Sequence, residues 1–297
     1  MMCAMDNTTP SSRNWVDVAR DAATGVETIR AHFSGHAYDP HYHDEALVGV
    51  TEQGLQEFSC RHRLHRSTPG RVILIEPGEV HDGHARGEDG FTYVMLYLPT
   101  RWLAEARRLV APKDRGTGDI AFPATLTDDT RLATAVERAF YVLRAPEMPR
   151  LARDAALDAM VAALEPQLAT GRPVGAALRR APMPARRARE MLHALMAEDP
   201  GLDALAQQCG AADRFQLSRA FRAAYGLSPH AYLVQLRLTA ARRLLSSGEA
   251  PAAVAAAVGF ADQSHLGRWF RRAYGLTPAA YRALCTNVPD RGRAAAP

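Results

Sequence analysis

The spacing of apolar and polar positions changes near residue 100. Before it, short runs rich in β-branched and aromatic residues occupy Val26–Phe33, Ala46–Thr51, Leu55–Arg61, Val72–Glu76 and Phe91–Leu98. Turn signals separate them: Gly35, Asp39-Pro40, Gly54, Thr68-Pro69-Gly70 and Pro77-Gly78. Runs of this length and spacing predict a small antiparallel barrel or sandwich. In the last run Phe91, Tyr93, Met95 and Tyr97 alternate with Thr92, Val94, Leu96 and Leu98, so one set faces the interior. After Pro99 the spacing becomes helical over Thr100–Val110, Asp128–Arg144 and Leu151–Thr170. Leu157, Val161, Leu164 and Leu168 form a stripe on the third helix, suited to packing against a partner helix. A Gly-, Pro- and Arg-rich stretch, 171–183, reads as a linker.

Beyond the linker the chain repeats itself. Residues 210–232 and 259–281 align at an offset of 49, with 14 of 23 positions identical. The shared positions are those that a helix-turn-helix needs in order to fold. Gly210 and Gly259 stand at the turn, where a positive φ is inexpensive only for glycine. Asp213 and Asp262 are placed to cap the following helix, and Leu217, Phe221 and Tyr225 recur as Leu266, Phe270 and Tyr274 on one helical stripe. Gly226 and Gly275 end those helices, and Pro229 and Pro278 open the next ones. The differences cluster at the helix starts: Arg214, Phe215, Gln216 and Ser218 against Gln263, Ser264, His265 and Gly267. Two like scaffolds presenting unlike side chains at a helix start read as two reading heads for DNA. A solenoid needs at least three copies, whereas an αα-repeat for protein contacts stays open as an alternative. Between the repeats, Tyr232–Ser246 predicts one connecting helix with Leu233, Leu236, Ala240 and Leu244 on its apolar stripe.

Composition narrows the class. At 297 residues, 47% hydrophobic and 23% charged, the chain has material for two globular cores. No run approaches the roughly 18–20 apolar residues of a membrane span, so no membrane partner is expected. The first ten residues lack a basic start and an apolar stretch, so no secretory signal is expected and the cytoplasm is the predicted location. Cys3, Cys60, Cys209 and Cys285 are scattered and read as free thiols. Lys113 is the only lysine, which with the heavy use of Ala points to a high-GC bacterial genome. From Pro184 to Cys285 there are 13 Arg against 7 acidic residues, a balance of +6; the rest of the chain carries 23 basic and 25 acidic residues, a balance of −2. A positive charge confined to the repeat-bearing part fits phosphate contact by that part alone.

The stretch Val258–Arg282, with its Gly259-Phe260-Ala261-Asp262 turn and Tyr274-Gly275-Leu276-Thr277-Pro278 ending, resembles the signature of the AraC/XylS family of bacterial transcription regulators. The resemblance extends over about 184–285. It implies an α+β chain: an N-terminal cupin-like β-barrel with trailing helices, and a C-terminal all-α domain of about seven helices holding two helix-turn-helix units. The implied boundaries are an effector-binding and dimerisation domain over 1–170, the linker 171–183, the DNA-binding domain 184–285 and a flexible tail 286–297. In the family's arrangement the recognition helices enter successive major grooves, whose centres repeat about every 34 Å. A connecting helix of some 15 residues spans about 22 Å, a workable brace.

By alignment the first recognition helix offers Arg214, Phe215, Ser218 and Arg219 to DNA, and the second offers Gln263, Ser264, His265 and Arg268. Arg suits guanine, Gln suits adenine, and an aromatic ring suits a thymine methyl. Arg219 and Arg268 hold the same place in both repeats, which fits base reading, a phosphate clamp or a scaffold ion pair. In the β region, His41-Tyr42-His43 and Pro77-Gly78-Glu79-Val80-His81 resemble the two half-motifs of cupin barrels, in which metal-binding members use two His, a Glu and a third His. Here the position four after His43 is Leu47, and Glu45 points differently along a strand. The expectation is therefore an effector site without metal or other cofactor, formed by His41, His43, His81 and Tyr93. The reading is a non-enzymatic, effector-responsive regulator, an activator by family resemblance. Its expected partners are double-stranded DNA, a small-molecule effector, a second copy of itself and RNA polymerase. The competing reading is a metal-dependent cupin enzyme fused to a DNA-binding module.

Overall fold

The computed structural model describes residues 14–110, 120–169 and 181–286. Their first half holds two antiparallel sheets that face each other. β1 (Trp15–Arg20), β2 (Glu27–Phe33), β4 (Ala46–Gly54), β7 (Val72–Ile75), β9 (Phe91–Leu98) and β10 (Leu126–Thr127) form one sheet, in the order β1-β2-β9-β4-β7-β10. β3 (His36–His41), β5 (Gln56–Cys60), β6 (Arg63–Ser67) and β8 (His81–Ala85) form the other, in the order β3-β8-β5-β6. Among the described residues no ladder joins the two, so the barrel is open.

β9 runs between β2 and β4 and is buried along its whole length because both its faces are covered. Phe91, Tyr93, Met95 and Tyr97 pack toward the second sheet, with Phe33, Tyr38 and Phe58. Val94, Leu96 and Leu98 pack outward onto α1 (Thr100–Val110), α2 (Thr130–Arg144) and α3 (Arg150–Leu164). The predicted stripe Leu157, Val161, Leu164 and Leu168 lies in that second core. α3 gives way to a 3-10 turn at Glu165–Gln167, short of the predicted Thr170, where Pro166 has no N–H to continue the ladder. α2 begins after Asp129, whose carboxylate accepts from the backbone N–H groups of Arg131 and Leu132.

The second half is helical: α4 (Met183–Ala194), α5 (Leu202–Cys209), α6 (Arg214–Tyr225), α7 (Pro229–Ser246), α8 (Pro251–Val258), α9 (Gln263–Tyr274) and α10 (Pro278–Thr286). α5–α6 and α8–α9 are the repeated helix-turn-helix units. Gly210 and Gly259 take φ of 77° and 87°, and a Cβ on Gly259 would lie 2.4 Å from the Ala197 carbonyl oxygen. Asp213 and Asp262 each accept a backbone N–H three residues on, at 2.7 Å. Residues 171–180 of the expected linker and 287–297 of the expected tail lie outside the described residues; α4 already begins at Met183 and Thr286 still closes α10.

α7 carries more than the predicted stripe. Leu233 and Leu236 belong to the first unit's core, while Val234, Leu238, Ala241 and Leu245 belong to the second's. Both cores also take residues from the β half. Tyr42 stacks on Tyr232 at 5.6 Å in the first, and Val18 of β1 lies in the second. The two halves are therefore packed against each other through shared apolar cores. No helix among the described residues is long and apolar enough to cross a membrane.

Candidate functional site

Where the sheets meet the helical half, a cavity of about 40 Å³ remains. Its apolar wall comes from both sheets, through residues such as Phe33, Phe58, Ile73 and Met95. Tyr38, Gln56, Tyr93 and Tyr97 supply polar tips, and Gly83 leaves room for the Tyr38 ring, which a Cβ there would meet at 2.5 Å. The helical half closes one side: Arg242 from α7, Tyr274 at the end of α9 and Tyr281 from α10.

The structure brings His41, His43 and His81 together, all three buried, with a nitrogen from each within 4.8 Å of the others. Their tautomers follow from their partners. His41 Nδ1 donates to the Asp39 carbonyl at 2.7 Å and His81 Nδ1 to the Glu79 carbonyl at 3.0 Å, so both Nε2 atoms carry lone pairs in the neutral ring. His43 is different: its Nδ1 accepts from Arg242 Nη1 at 3.1 Å, which places the proton on a buried Nε2 that has no partner. Burial pushes all three rings below the ordinary imidazole value, His81 to about 4, and each is neutral near pH 7. A metal needs three lone pairs at one point. Here His43 presents N–H instead, Arg242 stands beside it, and Glu45 lies 3.6 Å from Arg242, on its Nη1 side. As arranged, the cluster offers a mixed set of groups: lone pairs on His41 and His81 and an N–H on His43. Tyr93 lines the same cavity, with its ring stacked 5.9 Å from Phe91.

Sequence reasoning missed the group at the centre. Arg242 is buried, donates to Glu27 at 2.6 Å, and lies over the rings of Tyr97, Tyr274 and Tyr281 at 5.0, 5.2 and 5.6 Å. Glu27 also accepts from the Tyr281 hydroxyl at 2.7 Å and from Arg20 at 2.9 Å. Burial alone would raise the Glu27 carboxyl; Arg242, the Tyr281 hydrogen bond and Arg20 outweigh it and hold the group below the ordinary value. The only signal in the sequence was a charged residue flanked by Leu238, Ala241 and Leu245 on a helix face otherwise apolar.

The residues expected to meet DNA lie on α6 and α9. Arg214, Phe215, Arg219, Gln263, Ser264 and Arg268 are exposed, and Ser218 is half-buried. Phe215, 61% exposed, sits under the Arg214 guanidinium at 5.0 Å, and Arg214 reaches Asp203 at 3.3 Å. Neither Arg219 nor Arg268 forms an ion pair among the described residues, and no scaffold bridge occupies them there. His265 is partly engaged within its own unit, accepting from Trp269 Nε1 at 3.0 Å. Further along α9, Arg272 pairs with Asp39 at 2.7 Å, tying the helix to β3.

Comparisons with known proteins agree with both halves. Residues 24–163 match the family model of the AraC-like ligand binding domain, and residues 205–284 match a helix-turn-helix domain model. An uncharacterized HTH-type transcriptional regulator of Bacillus subtilis, YbfI, is 25% identical over 233 residues, spanning 77% of this chain and 82% of that protein. ToxT from Vibrio cholerae O395 shares the fold with a TM-score of 0.54 at 11% identity, covering 89% of this chain and 99% of ToxT. ToxT of strain SCE256 with bound unsaturated fatty acid gives the same TM-score and identity over 96% and 99%. With a ligand-binding half and a duplicated helix-turn-helix half in this order, the chain belongs to the AraC family and is an effector-responsive, DNA-binding transcription regulator.

Proposed function

We propose that the effector binds in the cavity between the sheets, its polar end against His41, His43, His81 and Tyr93. Arg214, Phe215, Ser218 and Arg219 of α6, and Gln263, Ser264, His265 and Arg268 of α9, then meet DNA. One observation carries this reading: the cavity wall is shared, with one side from the β half and the other from the helices that hold the reading heads. A ligand there acts on both, and it shifts activity only through contacts that differ between two states. The apolar lining suits an organic effector, and the fatty acid bound to ToxT is of that general kind. The protein acts in the cytoplasm as a homodimer that activates transcription through RNA polymerase, with no enzymatic step. Residues 1–170 form the sensing and dimerisation domain, 184–285 the DNA-binding domain, and 171–183 the linker.

Two measurements test the reading. Arg219→Ala and Arg268→Ala in the full-length protein are each expected to weaken specific binding by about 1–3 kcal/mol, with losses at base positions about one helical turn apart. Selection of binding sites from random duplexes, followed by titration on single-base variants, reads this out. A loss uniform across all sequences makes the two arginines phosphate clamps instead. His81→Ala is expected to blunt effector-dependent transcription while leaving specific DNA affinity within twofold in the absence of effector. An unchanged response in a reporter assay places the effector elsewhere.

A further inference from the structure

The Arg242 guanidinium occupies a site that is built for a cation. Glu27, buried, gives it a carboxylate at 2.6 Å; Tyr97, Tyr274 and Tyr281 surround it with ring faces. Glu45 adds a second carboxylate at 3.6 Å, whose Oε2 is buried without a hydrogen-bond partner. Among the residues lining the cavity Arg242 is the one arginine or lysine, and the two imidazoles there, His41 and His81, are neutral. The cavity is also nearly full. About 40 Å³ holds a water or two, whereas pockets for organic ligands run to roughly 300–1,000 Å³. An organic effector therefore enters only as something moves aside, and the group that can do so without breaking the sheets is Arg242, a long side chain buried on the helical wall.

Charge decides which effector can replace it. An anion entering the cavity meets Arg242 with Glu27 and Glu45 behind it; if it draws Arg242 toward itself, Glu27 keeps Arg20 and the Tyr281 hydroxyl but loses its nearest cation. A cation exchanges like for like. It inherits the Glu27 carboxylate and the Tyr97 face, and Arg242 regains hydration.

We propose that this cage is the binding site for the charged end of a small organic cation, a guanidinium or alkylammonium compound, and that Arg242 is a built-in occupant with which the effector competes. The proposal rests on the reading that the effector enters this cavity, and it assigns the effector's chemical class. Arg242 stands on α7, the helix common to both helix-turn-helix cores, so its expulsion removes the buried ion pair that holds α7 to β2. The neighbouring Arg243–Asp44 and Arg272–Asp39 pairs lie at the exposed rim, where screening leaves them weak.

The test uses n-butylguanidinium, its neutral isostere n-butylurea, and pentanoate, titrated calorimetrically into the full-length protein. Butylguanidinium is expected to bind Arg242→Met, which keeps the stem and removes the charge, at least tenfold more tightly than wild type. Arg242→Lys, which keeps a cation in the cage, should stay within a few fold of wild type. Adding Glu27→Gln to Arg242→Met should cost at least tenfold, and butylurea should bind neither wild type nor any of the three variants. Equal affinity for butylurea, or no gain in Arg242→Met, overturns the proposal. So does pentanoate binding that is lost in Arg242→Met, which would make Arg242 an anion receptor while leaving the effector in this cavity. If Arg242→Met does not fold, the Arg242→Lys and wild-type titrations still decide between cation, neutral and anion. Butylguanidinium binding that survives Met95→Trp, a change that fills the cavity, puts the ligand elsewhere and defeats the effector reading itself.

Discussion

Replacing Glu27 with alanine is expected to destabilise the folded protein by about 3–5 kcal/mol, the usual cost of leaving one member of a buried ion pair without its partner. Three groups lean on this carboxylate: Arg242 at 2.6 Å, the Tyr281 hydroxyl at 2.7 Å and Arg20 at 2.9 Å. Arg20 is one-third exposed and already reaches solvent, whereas in the effector-free protein Arg242 and Tyr281 are buried against the carboxylate. Glu27→Gln keeps an acceptor for Tyr281 and loses only the charge, so its loss should be the smaller of the two. The pH dependence has a definite sign. The folded Glu27 carboxyl is held below its ordinary value of 4.5, so its contribution is present above that value and disappears as pH falls through the folded one. The stability difference between wild type and Glu27→Gln, from denaturant unfolding at several pH values, should be constant near neutrality and close in acid. The buried histidines also weaken the fold in acid, since they stay neutral when folded and protonate when unfolded below about 6.5. That contribution is common to both proteins and cancels in the difference. A difference that persists unchanged below pH 3 would falsify the assignment of Glu27 as the charged partner.

The duplicated units were legible because their signals are local. A glycine at a turn, a capping aspartate and an apolar stripe depend on neighbours within a few residues, and each takes in the structure the role its type implies. Phe91–Leu98 was legible for the same reason: eight residues with β-forming side chains and no breaker. β3, β6 and β8 were not. β3 and β8 hold histidines, a proline and a glycine, and β6 is an arginine-bearing edge strand whose charged side chains face water. Their strand state comes from pairing with distant segments, such as His41 opposite His81, which single-sequence patterning does not contain.

The candidate site divides in the same way. The two histidine half-motifs predicted their own convergence, and the structure places the three rings together. The other wall of the cavity was invisible, because Arg242 and Tyr281 stand some 200 residues or more from Glu27 in sequence, 215 and 254 respectively. Arg242 looked like one more positive charge on a DNA-binding domain. Its burial follows from tertiary packing alone, with α7 between two cores and against β2. The same packing separates Arg242 from Arg219 and Arg268, which keep their side chains exposed.

Phe221 and Phe270 are the same position in the two repeats, and their replacement by alanine is expected to cost about 3–5 kcal/mol in each case, since both are fully buried. The functional consequences should differ. Phe221 packs on Tyr225 at 4.6 Å and Tyr232 at 5.3 Å, within the first unit and away from the cavity. Phe270 packs on Tyr274 at 4.6 Å and Tyr281 at 5.5 Å, the two rings that the DNA-binding half sets around Arg242. Alanine at Phe270 leaves both rings free to shift, so it should alter effector affinity as well as stability; alanine at Phe221 should leave effector affinity within about twofold, once corrected for the folded fraction. Denaturant unfolding gives the first quantity and ligand titration in the folded plateau gives the second. Equal effects of the two substitutions on effector affinity would mean that the second helix-turn-helix unit has no privileged contact with the cavity, and that the shared wall is a packing surface only.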